Sequence, residues 1–159
     1  KSGLDPSRYQ YKYSYKLEPF RAEIDKWSEV HRNQSKLLSL WRELAQRSLS
    51  KISEDGKKGE IRIWPHHFDT GMILDNSLNG DGSSGLGFGY AVADSVSDLP
   101  YYYTYSWGKD SNYANLSDLT LGHWHIQDWK GAVLSASPNL TSKEIGSFYN
   151  EASKALSSI

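Results

Sequence analysis

Two segments of strict alternation constrain this chain more than any other feature. Gly85, Gly87 and Gly89 alternate with Leu86, Phe88 and Tyr90, and Tyr101, Tyr103, Tyr105 and Trp107 recur at every second position further on. Period two is the signature of a β-strand, whose successive side chains point to opposite faces. One strand therefore carries a face of bare backbone and the other a face of rings. Glycine weakens a strand unless something must approach its backbone closely. Two readings follow: the rings cover the glycine face as ordinary core packing, or the pair forms a flat ligand shelf with aromatic walls.

The same economy runs through the composition. Leu, Ile, Val and Phe number 33 of 159 residues, but there are 6 Trp and 11 Tyr and the net charge is only -1. Aromatic side chains bury large areas each, so they can build a core where aliphatics are scarce. The length is that of one ordinary domain.

Around the two alternating segments, short runs rich in aromatic and β-branched residues are separated by Gly, Asn, Asp, Ser and Pro clusters. This predicts strands near 60–64, 67–74, 85–92, 101–107 and 121–134, the last with room for an interruption, in an antiparallel sheet. Residues 18–52 show helical spacing, opened by Pro19, with the polar quartet Arg32–Ser35 expected to divide them into two helices. A C-terminal helix over 141–158 opens on a Thr141/Glu144 capping box. Tyr9, Tyr11, Tyr13 and Tyr15 alternate with polar residues, as an edge strand or an extended arm would. The expected architecture is α+β: an antiparallel aromatic-lined sheet with an N-terminal helical segment and a C-terminal helix. Residues 1–17 form the arm and 18–159 a single domain.

Several function classes drop out. The absence of cysteine excludes disulfides, thiolate metal sites and a Cys nucleophile. No apolar run approaches 18 residues, so no membrane span is expected. Residues 1–60 carry a net +4 and residues 61–159 a net -5. The basic residues are interspersed with acids rather than clustered, so no nucleic-acid footprint is expected. Gly80-Asp81-Gly82-Ser83-Ser84-Gly85 matches a dinucleotide-binding string, but a strand follows where a helix is needed, so it reads as a hairpin loop. Asp75–Asp81 resembles half a calcium loop, with Leu86 where the closing Glu should stand.

The sharpest constellation is histidine. Four of the five histidines lie in Trp64-Pro65-His66-His67-Phe68-Asp69 and Gly122-His123-Trp124-His125. On strands, His67 and Asp69 share a face, as do His123 and His125. If the two segments are sheet neighbours, three imidazoles and a carboxylate converge, a set suited to zinc, iron or manganese. Such a metal activates water or polarises a carbonyl. A metal-free acid/base or ligand site, and histidines that only hydrogen-bond their neighbours, stand beside this reading.

The same strings carry a resemblance. Together with Trp129 and Gly131-Ala132-Val133-Leu134, and with Gly87–Tyr90, Asp94, Pro100-Tyr101-Tyr102-Tyr103 and Trp107 between them, they resemble a mainly bacterial family of unknown function, the DUF5996-type proteins. The likeness spans roughly residues 60–137 and is weak over 17–50. Members carry a further N-terminal half, and this chain begins at Lys1 with its sole methionine at Met72. The resemblance thus implies a C-terminal fragment whose missing N-terminal part is a partner. The chain departs from the family at Ile126-Gln127-Asp128, where Thr-Glu-Gly is usual, and at Ala91-Val92-Ala93 before Asp94, where Ser-Pro-Gly is usual. Any activity that rests on the family's Glu is in doubt at Gln127.

The candidate catalytic or metal-holding residues are therefore His67, Asp69, His123 and His125, with His66, Asp94, Tyr103, Trp107 and Trp124 around a ligand pocket. The first expectation is a small-molecule-binding, metal-dependent enzyme domain. The others are a non-catalytic sugar- or ligand-binding module with aromatic walls, and a structural domain that forms homo-oligomers. A cytoplasmic location is expected.

Overall fold

The computed structural model describes residues 28–54, 59–65, 67–77, 80–108 and 113–158. The tyrosine alternation at 9–15, the start of the helical stretch at 18–27 and His66 lie outside the described residues.

Helix α1 (Glu29–Glu54) is followed by strands β1 (Ile61–Trp64), β2 (Asp69–Asp75), β3 (Gly85–Ala91) and β4 (Tyr101–Trp107). Strands β5 (His123–Ile126) and β6 (Lys130–Ser135) and helix α2 (Ser142–Ser157) complete the order. The six strands form one sheet in the order β1-β2-β3-β4-β6-β5, with every neighbouring pair antiparallel. The α+β class and both helices match the sequence reading. The expected strand at 121–134 is two strands folded on each other, so the inner position beside β4 goes to β6 and β5 becomes the edge.

One expectation is corrected. The Arg32–Ser35 quartet does not divide the helix; α1 runs through it unbroken. None of its residues is Gly or Pro, and Arg32, Asn33 and Gln34 are exposed, so a polar patch on a solvated side leaves the helix intact.

Both helices lie on one face of the sheet. The apolar stripe of α2 (Ile145, Phe148, Tyr149, Ala152, Leu156) and Ala45, Leu49 and Ile52 of α1 form one buried cluster with Met72, Phe88, Tyr90, Tyr102 and Leu134 of the sheet. The spacing of the α2 stripe follows the helical repeat, so a single face is buried. Two bonds fix the layers. The Ser48 hydroxyl donates to the Ser142 carbonyl at 2.9 Å, joining α1 to the start of α2. The Tyr149 hydroxyl donates to the Gly89 carbonyl at 2.8 Å, joining α2 to β3. The Thr141/Glu144 capping box is formed. Among the described residues, no helix is long and apolar enough to cross a membrane.

The glycine string at 80–85 is the hairpin loop expected. It joins β2 to β3, which pair from Asp75↔Gly85 onward. The Asp75 carboxylate holds the loop by accepting from the Ser77 amide, the Ser77 hydroxyl and the Gly82 amide.

Candidate functional site

Among the described residues, the helices leave the other face of the sheet open, and the alternation decides what it presents. Cα partners in an antiparallel pair share a face. Gly71, Gly89, Tyr103, Val133 and His123 therefore form one row across five strands. The neighbouring row on β1 and β2 is Trp64 beside Asp69.

The bare backbone of β3 is where the β4 rings lie. A Cβ placed on Gly87 would stand 2.1 Å from Tyr105 Cε1, and one on Gly89 would stand 2.5 Å from the Tyr103 hydroxyl oxygen. Trp107 covers Gly85 in the same way, and its indole N–H donates to the Gly82 carbonyl at 3.0 Å. These contacts are the covered-glycine reading. The rings also form a continuous wall: centroids are 6.1 Å apart for Tyr101–Tyr103, 6.1 Å for Tyr103–Tyr105 and 5.9 Å for Tyr105–Trp107. Trp129, from the turn between β5 and β6, folds back over Gly131 and meets Tyr103 at 6.2 Å and Tyr105 at 6.0 Å. Such edge-on ring contacts add to the area they bury.

The loop between β3 and β4 raises a second wall. The Asp94 carboxylate accepts from the Val96 amide at 2.8 Å and from the Tyr101 hydroxyl at 3.0 Å, while Val96 packs against the cluster that Ala91, Tyr101, Tyr103 and Val133 form. The hairpin turn between β1 and β2 supplies a third. There Phe68 takes the left-handed conformation (φ 56°), and the Arg42 guanidinium donates to its carbonyl at 2.9 Å. This turn leads His67 and Asp69 onto the open face. The walls enclose a cleft of about 560 Å³, to which Trp64, His67, Asp69, Asp94, Tyr101, Tyr103, Tyr105 and Trp129 all contribute.

Electrostatically the cleft is acidic. Burial pushes the Tyr101 hydroxyl well above the usual tyrosine range, and the Asp94 and Asp69 charges push it further. Burial raises Tyr103 and Tyr105 likewise, with Asp69 the next cause in each case. All three rings are neutral phenols at ordinary pH.

The structure separates the residues singled out in the sequence. His67, Asp69, Asp94 and Tyr103 line one cleft. His123 and His125 share the open face but sit on β5, with β3, β4 and β6 between them and β2. Four strand spacings put them about 19 Å from Asp69 along the sheet. The sheet neighbourhood that a four-residue metal set requires is therefore absent. Among the described residues, no three His, Asp or Glu side chains form a group able to hold a metal. His125 instead rests against Trp129, ring to ring at 6.1 Å. Trp124 pairs with Ala132 and so faces the helices; its indole N–H donates to the Ser117 carbonyl and its ring meets Tyr113. Trp107 ends the ring ladder, outside the cleft lining.

Trp64 and Trp129 line the cleft without being among the candidate pocket residues, and Tyr101 and Tyr105 join it as members of the alternating aromatic wall. The first had a signal. Strands at 60–64 and 67–74 with a short turn make a hairpin, and a hairpin sets Trp64 opposite Asp69. Tyr101 and Tyr105 share the face of Tyr103 by the same alternation. Trp129 had none, because its position depends on a turn folding back over Gly131.

Compared with known proteins, the chain matches no family model, no curated protein and no solved structure.

Proposed function

We propose that this chain is a small-molecule-binding domain whose site is the aromatic-walled cleft on the open face of the sheet. One observation carries the reading: a cleft of about 560 Å³ gathers two carboxylates, an imidazole and the rings of Trp64, Tyr101, Tyr103, Tyr105 and Trp129. That volume lies within the range of ordinary ligand pockets, and so does the pattern of apolar walls with a few converging polar groups. His67 and Asp69 stand on one wall, where they supply a proton acceptor and donor for chemistry on a bound molecule. A transition metal held jointly by His67, Asp69, His123 and His125 is no part of this reading, since the four do not share a site.

The test is a fragment screen by NMR, reading the indole N–H resonances of Trp64 and Trp129, each assigned from its Trp→Phe variant. Saturable shifts of these two signals, lost in Tyr103→Ala, are expected. Fragments that shift only the helix-side Trp124 signal, or none of the three, would sink the reading.

A further inference from the structure

The charge around the cleft is one-sided. Asp69 and Asp94 line it, and no Lys or Arg does among the described residues. Arg62 is on the same face, opposite Gly71, but its guanidinium is bonded to Glu60. Arg42 is occupied with the Phe68 carbonyl. The rings add to the same sign, because the face of an aromatic ring is the negative end of its quadrupole. Tyr103, Tyr105 and Trp129 stand at near-equal spacing of 6.0–6.2 Å around a common corner. An anion entering here meets two carboxylates and, among the described lining residues, no Lys or Arg. A neutral ligand gains no charge–charge attraction from either carboxylate, whereas a cation gains it from both.

Resting on the reading that the cleft is the ligand site, we propose that its ligand is an organic cation. The class is a quaternary ammonium or protonated amine on a compact apolar body, with Asp69 and Asp94 as counter-charges and Tyr103, Tyr105 and Trp129 as the cation–π wall. Tyrosine and tryptophan faces within about 6 Å of a cation attract it, and more strongly where water is excluded. The tyrosine hydroxyls stay protonated beside Asp69, so the rings add no charge of their own that would repel an acidic wall. Asp94 is already positioned by Val96 and Tyr101, so binding does not have to order it.

The test is a titration of the whole chain with matched probes. The probes are choline and benzyltrimethylammonium, the neutral choline isostere 3,3-dimethylbutan-1-ol, methyl glucoside and benzoate. The readout is again the Trp64 and Trp129 indole resonances. Both cations are expected to bind saturably, about tenfold more tightly than the neutral isostere, and to lose about tenfold in Asp69→Asn and Asp94→Asn. Backbone signals of the helix-side core verify that these near-isosteric variants are folded. Equal or tighter binding of the isostere, the glucoside or benzoate would overturn the cation assignment and leave the cleft standing as the site. No saturable shift from any of the five probes would overturn the assignment, and the fragment screen then decides separately whether the cleft binds anything.

Discussion

Gly87 and Gly131 hold the open face together by lacking side chains. A Cβ on Gly87 would overlap the Tyr105 ring at 2.1 Å, and one on Gly131 would meet the Trp129 ring at 2.2 Å and the Thr104 carbonyl oxygen at 2.8 Å. At Gly87 a ring must move, and with it the wall that Tyr103, Tyr105 and Trp129 share. Gly87→Ala is therefore expected to lower stability by about 1–3 kcal/mol, as overpacking does. It should also shift the Trp129 indole resonance. Gly146 is the contrast. It lies inside α2 with nothing within 4 Å of a Cβ built on it, so Gly146→Ala is expected to raise stability by about 0.5–1 kcal/mol. Urea unfolding of the two variants checks both signs. Equal effects would mean that the ring-to-glycine contacts carry no packing energy.

At the scale of elements, capping and side-chain anchors set the positions of α2 and the β2–β3 hairpin. The Thr141 side chain accepts from the Glu144 amide, and Glu144 reaches back to the Thr141 amide at 2.8 Å. Losing the cap in Thr141→Ala is expected to cost about 1 kcal/mol. Tyr149→Phe removes the bond to the Gly89 carbonyl inside the core, for a similar cost of about 1–2 kcal/mol. The hairpin loop contributes a pH dependence. Hydrogen bonds from the Ser77 side chain and amide hold Asp75 below the usual carboxylate range, helped by Gly82. A folded-state pKa below the unfolded value gives stability that is present above the unfolded value, about 3.9, and is lost as pH falls through the folded one. Asp75→Asn should flatten the acid limb of the stability profile below about pH 4 by lowering the stability at neutral pH, where the ionised carboxylate contributes. An acid limb identical to that of the parent chain would exclude Asp75 as its source. These elements were legible where the pattern is local. Alternation marks β2, β3 and β4 to within two residues at each end, and the Thr141/Glu144 pair marks the start of α2. Strand order was not legible. Nothing in Gly122-His123-Trp124-His125 says that the segment is an edge strand, because that depends on β6 taking the place beside β4. The grouping of His67 with Asp69 needed one turn, whereas joining them to His123 needed the whole sheet.

For the molecule as a whole, tyrosines take the place of scarce aliphatics, and they do so on both sides of the sheet. Tyr90, Tyr102 and Tyr149 are buried beneath the helices, and Tyr101 and Tyr103 on the open side. The consequence is measurable in alkali. Burial is the leading cause that raises Tyr90 to about 12 and holds Tyr102, Tyr149, Tyr101, Tyr103 and Tyr105 above the ordinary range. For a phenol, the raised folded value means that the native state keeps its proton where the unfolded chain would release it. The stability this contributes is complete below the ordinary tyrosine value near 10 and is lost as pH rises through the folded values. These six phenols should therefore not ionise independently. As pH climbs past about 10, the phenolate absorbance of these six should rise in one cooperative step that coincides with loss of near-UV circular dichroism. The step should move to lower pH in Gly87→Ala, because a less stable fold yields sooner to the same proton release. If these six instead ionise reversibly near pH 10 with the fold intact, the aromatic core is not what holds the sheet to its helices.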